Sequence, residues 1–226
     1  MKKYYEAYEE RYKKIHSETG LAWAGDRPSP TLEILLKKYK ATKSSTILEI
    51  GCGEGQNALN LISKGYNVSA SDVSPEAIRW CCRQARLMNL PENRFFTLDV
   101  LNNNLKEKYD FIISVAVLHM LVEDEDRINF LKFINSHLNK NGKAFIIIMG
   151  DGVQTRKTDP NIAFDLADRP FGDKTVQVAS TTCRMVTWSE FKGELKKAKL
   201  NIVETFIDTT ISGFLSSMVA VCESGK

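Results

Sequence analysis

The sequence has no apolar run long enough for a bilayer. A spanning helix needs about 20 consecutive apolar residues, and the longest runs here, such as Ala144 to Met149, are strand-sized. Behind the lysines of Met1-Lys2-Lys3-Tyr4-Tyr5-Glu6 there is no apolar h-region. No secretory signal is expected, and a cytoplasmic location follows. Charge of one sign is lacking too. Thirty-one Lys and Arg stand against 28 Asp and Glu, a net of +3, too balanced to argue for nucleic acid. The five cysteines include no C-x-x-C pair, and an odd number suits a reducing compartment. Cys81 and Cys82 share a helical stripe with Ile78 and Ala85, so both read as buried small hydrophobes rather than metal ligands. No metal site is expected.

What is present is a strand–helix alternation. The 226 residues, 43% of them hydrophobic, suffice for one sizeable core and are short for two domains. Thr46 to Ile50 reads as a buried strand, Glu54 to Lys64 as a helix and Tyr66 to Ser71 as a second strand. Ser74-Pro75 opens a helix, Phe95 to Leu98 is a short strand and Tyr109 to Val117 a longer one. Ile128, Leu131, Ile134 and Leu138 mark a helix before a strand at Lys143 to Met149. Thr187-x-x-Glu190 is a capping box, and final strands fit Asn201 to Asp208 and Leu215 to Cys222. Helix-length crossovers imply a doubly wound, mostly parallel seven-stranded α/β sheet covered on both faces. One domain is expected over 1–226, with an N-terminal cap at 1–28 and a lid-like insertion at 150–186, where no clear period is visible.

The informative segment runs Ile47-Leu48-Glu49-Ile50-Gly51-Cys52-Gly53-Glu54-Gly55-Gln56. A strand delivers the chain to a glycine turn, and a helix follows. Glycine permits a positive φ and a close approach of ligand to backbone, and ligands of α/β sheets bind outside the carboxyl ends of strands. The dinucleotide fingerprint G-x-G-x-x-G fails here, because Gln56 stands where its third glycine belongs.

The pattern G-x-G-x-G, with Glu49 two positions before its first glycine, resembles motif I of the class I S-adenosylmethionine-dependent methyltransferases. Three further segments resemble that family. Val68-Ser69-Ala70-Ser71-Asp72 ends a second strand on a carboxylate. Phe95-Phe96-Thr97-Leu98-Asp99 does the same for the third, and Tyr109 to His119 matches the fourth. Gly65-Tyr66-Asn67-Val68, Leu101-Asn102-Asn103-Asn104-Leu105, Tyr109-Asp110-Phe111-Ile112-Ile113-Ser114 and His16-Ser17-Glu18 resemble tellurite-resistance-type and similar small-molecule methyltransferases. The resemblance implies S-adenosyl-L-methionine as cofactor, held by Glu49, Gly51, Cys52, Gly53, Gly55, Asp72, Val73, Asp99, Val100 and Val115. Asp72 would accept the ribose hydroxyls and Asp99 the adenine amino group.

Methyl transfer from a sulfonium is an in-line displacement whose donor is already activated, so the protein's task is alignment and exclusion of water. A small-molecule acceptor is expected, with nucleic acid disfavoured and oligomeric state open. His119, at the end of the fourth strand, is the candidate base or orienting group, with a packing histidine as the alternative. Tyr12, His16, Trp23 and Arg184 are the candidate acceptor and cap residues. Tyr5, Tyr8, Tyr12 and Ile15 form one helical stripe that also fits plain core packing. A non-catalytic cofactor-binding partner, an RNA-directed methyltransferase and a nicotinamide oxidoreductase stay open as alternatives.

Overall fold

The computed structural model describes residues 2–18, 20, 27–171 and 174–225. Helices α1 (Ala7–Glu18) and α2 (Pro30–Lys38) precede the first strand. Then β1 (Thr46–Ile50), α3 (Gln56–Ser63), β2 (Asn67–Asp72), α4 (Pro75–Leu87), β3 (Phe95–Thr97), β4 (Tyr109–Val115), α5 (Asp124–His137) and β5 (Leu138–Met149) follow. Four short strands come next: β6 (Arg156–Lys157), β7 (Leu166–Phe171), β8 (Lys174–Ala179) and β9 (Arg184–Met185). The chain ends with α6 (Trp188–Lys197) and the strands β10 (Leu200–Asp208) and β11 (Ser217–Ser224).

Seven strands form the main sheet in the order β10-β11-β5-β4-β1-β2-β3. The pairs β1–β2, β1–β4, β2–β3 and β4–β5 are parallel, as helical crossovers require. β11 is antiparallel to both β5 and β10. The mostly parallel, doubly wound sheet expected from the alternation is therefore present. Successive side chains of a strand point to opposite faces, and the core divides accordingly. Leu48, Ile50, Ile146 and Ile148 pack on one face with Phe130 and Leu131 of α5 and Phe191 of α6. Ile47, Phe145 and Ile147 pack on the other with Leu35, Leu59, Ile78 and Cys81.

Three local expectations are corrected. Gly150 to Val186 is not structureless: β6 pairs with β9, and β7 with β8. Its period is hidden because only the second half of β8 alternates, with Val176 and Val178 buried around an exposed Gln177, while β7 is mostly exposed. β5 starts five residues earlier than expected, at Leu138, by pairing first with Tyr109 and then shifting register so that Lys143 faces Phe111. Cys81 is fully buried, but Cys82 is only half-buried and directs its thiol to the Glu92 carbonyl. One helical step turns Cys82 off the stripe. At the end of α5, His137 is buried, stacks on Phe133 and bonds the Phe133 carbonyl.

Arg127 of α5 has no exposed surface. Its guanidinium forks onto Glu194 of α6 at 2.7 and 2.8 Å, and its remaining nitrogen donates to the carbonyls of Leu118 and Leu121. Those carbonyls belong to the single helical turn after β4, which carries His119. The buried pair thus fixes a loop at the sheet's carboxyl edge. Removing one member leaves the other charge unpaired, which costs about 3–5 kcal/mol. Glu194→Ala should lower the unfolding free energy by about that amount, read from urea denaturation. A loss below about 1 kcal/mol would show that the pair does not hold the loop.

Candidate functional site

The glycine turn after β1 lies between two cavities at the carboxyl edge of the sheet. The larger, of about 490 Å³, is lined by the turn, by the loop after β4, by Ser29 and by the insertion. The smaller, of about 90 Å³, is lined by the ends of β2 and β3 and by the start of the N-terminal segment. Tyr8, Tyr12, Gly51, Ala116 and Met120 border both. Gly51 and Gly53 have φ of 69° and 53°. A Cβ on Gly51 would stand 2.3 Å from the Val117 side chain, and one on Gly53 would stand 2.8 Å from the Tyr12 hydroxyl oxygen. The turn therefore admits a loop and a cap that any other residue would push away.

Two carboxylates frame the turn from different sides. Glu49 is buried and accepts from the Asn57 amide at 3.1 Å, and Asn57 in turn accepts from the Ser29 backbone N–H at 2.8 Å. The second oxygen of Glu49 is buried and has no hydrogen-bond partner among the described residues. Burial pushes its pKa up to about 7, only partly opposed by the Asn57 hydrogen bond. The hydroxyl of Ser29, on the same cavity, is also buried and unpartnered. Asp72 accepts from the Gly53 N–H and the Ser74 N–H, both at 2.9 Å. Burial raises its pKa, while those amides pull it down. Asp99 accepts from the Leu101 N–H at 2.9 Å and from the Tyr5 hydroxyl at 3.1 Å.

The expected residues sort clearly. Glu49, Cys52, Gly53, Val115 and His119 line the larger cavity. Asp72, Val73, Asp99 and Val100 line the smaller, and Gly51 and Tyr12 line both. Three expected residues line neither. Gly55 (φ 84°) starts α3 against the Cys81 thiol. Arg184 turns to the Val122 carbonyl and Asp124, because β9 pairs with β6 and aims it at the loop before α5. His16 is clamped between Glu54, 2.8 Å from Nε2, and Glu76, 3.0 Å from Nδ1, and stacks on Trp80. Trp23 lies outside the described residues.

Sequence reasoning passed over several lining groups. Arg27, Arg156 and Arg169 reach the larger cavity, as do Glu54, Asn57, Thr181 and Phe214. Ala116 and Thr181 both hold positive φ, 59° and 61°, without being glycine. Such strain gathers where surroundings over-determine the backbone, and no residue type betrays it in advance. Asn57 could have been found: it lies eight residues after Glu49, at the first turn of the helix that leaves the glycines.

His119 is buried, contacts the edge of Phe214 and accepts from the Met149 N–H at 3.4 Å through Nδ1. Burial, reinforced by Arg127, drives its pKa down to about 3. The ring is neutral near pH 7. With Nδ1 accepting, its proton sits on Nε2.

The sequence profile of the family described as tellurite resistance protein TehB matches residues 29–204. The chain belongs to the TehB family. A relative from Haemophilus influenzae, a probable S-adenosyl-L-methionine-dependent methyltransferase TehB, is 31% identical over 101 residues, 45% of this chain and 35% of the relative. The chain thus spans about a third of the length of the TehB relatives it first matches. A TehB-like methyltransferase structure from Corynebacterium glutamicum superposes with a TM-score of 0.58 at 18% identity, covering 97% of each chain. A Burkholderia thailandensis 1,6-didemethyltoxoflavin-N1-methyltransferase gives a TM-score of 0.70 at 15% identity, covering 97% of this chain and 88% of the other. At such identities the structures establish the fold. The fold is thus shared with S-adenosylmethionine-dependent methyltransferase structures.

The residues fit that cofactor. A buried carboxylate oxygen on Glu49 without a described partner suits an ammonium, and the glycine turn borders both cavities. The clamp on His16 has its own pH signature. Burial disfavours its charge, but Glu54 and Glu76 outweigh this and raise its pKa. Its contribution to stability is complete below its unfolded pKa of about 6.5 and is lost as pH rises through the higher folded value. His16→Gln should therefore lower the melting temperature clearly at about pH 6 and much less at high pH. A difference that does not change with pH would refute the clamp.

Proposed function

We propose that this TehB-family protein transfers a methyl group from S-adenosylmethionine to a small-molecule acceptor in the larger cavity. The observation that carries the reading is the buried, half-satisfied Glu49 beside a glycine turn that opens onto two adjoining cavities. Glu49 and Ser29 would hold the amino-acid end of the cofactor, Asp72 the ribose, and Asp99 with Val73 and Val100 the adenine. When bound, the cofactor supplies an electrophilic methyl on a sulfonium. The chain's own part is to orient, to exclude water and to leave an open side for the acceptor. Asp72 has a second duty, since its bond to the Gly53 N–H holds the turn in shape. The N-terminal helix and the insertion serve as cap and lid over one single-domain scaffold.

A small molecule is favoured over nucleic acid by the size of the cavity, about 490 Å³, and the balanced charge. The Burkholderia neighbour, with a small heterocycle bound, gives the same direction. The reading places the protein in the cytoplasm, consistent with five free cysteines and no described helix long and apolar enough to cross a membrane.

His119 acts as a hydrogen-bond donor or wall to the acceptor, not as its base. A group with a pKa near 3 takes up few protons at neutral pH. With Nδ1 engaged by the Met149 N–H, the cavity receives Nε2–H. His119→Asn should retain cofactor affinity and lower kcat, while the pH profile of kcat/KM keeps its shape between about pH 5 and 8. Loss in the variant of a fall in rate on the acid side would restore His119 as the base.

Glu49 gives the sharper test of cofactor binding. At about pH 6 a carboxyl with a pKa near 7 is mostly protonated. An incoming ammonium ionises it, so binding of S-adenosylhomocysteine should release a proton. Calorimetry in two buffers of different ionisation heat counts that proton. Glu49→Gln should abolish the release and weaken binding at least tenfold, about 1.4 kcal/mol. Unchanged affinity and proton count would remove Glu49 from the cofactor site.

A further inference from the structure

Most arginines away from the larger cavity have polar partners: Arg79 with Glu76, Arg86 with Glu92, Arg94 with Asn67, Arg127 with Glu194 and Arg184 with Asp124, while Arg83 lies over the Trp80 ring. Arg27, Arg156 and Arg169 all line the larger cavity, and none makes an ion pair or side-chain hydrogen bond among the described residues. They arrive from three separate places: the approach to α2, strand β6 and strand β7. Two of the three sit on the insertion, whose strands bring them to the same opening.

No described carboxylate at that opening answers them. Glu49 and Glu54 line the cavity but are buried, with Glu49 bonded to Asn57 and Glu54 to His16. The other wall groups beside the arginines are neutral, among them Thr158, Ser180, Thr181 and Thr182. A fourth arginine, Arg11, lies behind this wall on the Thr181 hydroxyl. Burial lowers its pKa, and nearby Arg169 lowers it further, so like charges are gathered here. Arg27, Arg156 and Arg169, without an ion pair among the described residues, make a ready seat for a planar or tetrahedral oxyanion, which each can grip with two N–H donors.

Resting on the methyltransferase reading, we propose that the acceptor is an organic anion whose carboxylate or phosphate group seats among Arg27, Arg156 and Arg169. The cavity of about 490 Å³ exceeds what a lone oxyanion fills. An organic body occupies the space between the arginines and the glycine turn, which places the nucleophile at the turn and the anionic group at the mouth. The insertion then selects acceptors by charge while the sheet edge holds the cofactor.

The test uses the full chain saturated with S-adenosylhomocysteine and titrated with inorganic phosphate, benzoate and the neutral isostere benzamide. Wild type is compared with the triple variant Arg27→Gln, Arg156→Gln, Arg169→Gln, whose three sites are exposed and bond nothing else in the fold. At least one anion should bind wild type about tenfold or more tighter than the variant, and benzamide should not distinguish the two proteins. The tighter anion tells phosphate from carboxylate. If neither anion binds wild type, or the variant binds both as well, the proposal is overturned. S-adenosylhomocysteine itself should bind both proteins alike. If it fails to bind wild type, the methyltransferase reading falls. If it binds and the anions are ignored, only the acceptor class is wrong.

Discussion

The glycine turn depends on a pair of hydrogen bonds, from the Cys52 N–H to the Ser71 carbonyl and from the Gly53 N–H to the Asp72 carboxylate. They tie the end of β1 to the end of β2 and set where the next elements can come. Gly51 makes room for Val117 from the loop after β4, Gly53 for Tyr12 of α1, and Gly55 for Cys81 of α4. The spacing G-x-G-x-G is thus a record of three neighbours pressing on one turn. A dinucleotide-type turn would present its third glycine one residue later. Here that position is Gln56, which begins α3 and lines the larger cavity.

Charge is handled by engagement at the turn and by exposure at the mouth. Glu54 and Glu76 are committed to His16, and Glu9 accepts from the Ser74 hydroxyl and the Glu76 N–H. These bonds stitch α1 to the turn and to α4. What stays unspent is one oxygen of Glu49 inside and three guanidinium groups outside. Both sets line one cavity, a carboxyl on one side of the chemistry and guanidinium groups on the other. A zwitterionic cofactor end and an anionic acceptor can then occupy it without competing for the same groups.

The sheet was legible because buried strands and amphipathic helices leave strong periods, and because Gly51, Gly53, Asp72 and Asp99 each occupy a strand end. The acceptor side was not. Arg184 carried the sequence argument, yet the two-residue pairing of β9 with β6 turns it to Asp124. Arg156, paired with the neighbouring Met185 in the same ribbon, reaches the cavity instead. A short ribbon has too few residues for a period to show which side chain faces inward. His16 was read as a cap residue, but its role needs Glu54 and Glu76, 38 and 60 residues away. Such long-range pairing has no local signal.

The cap and the insertion, separate in sequence, share one small core. Tyr8, Tyr12 and Ile15 of α1 pack with Val176 and Val178 of β8 and Ala77 of α4. The Tyr8 hydroxyl donates to the Thr182 carbonyl, and Arg11 bonds the Thr181 hydroxyl. Burying several such side chains contributes on the order of 1.5–3 kcal/mol each, more than a loose loop contact supplies. Neither segment can therefore lift without unpacking the other. Because β8 pairs with β7, a displacement of α1 would disturb the ribbon that carries Arg169. That coupling explains why the tyrosine stripe supports both readings offered for it. It is core packing, and the core it packs is the roof of the site.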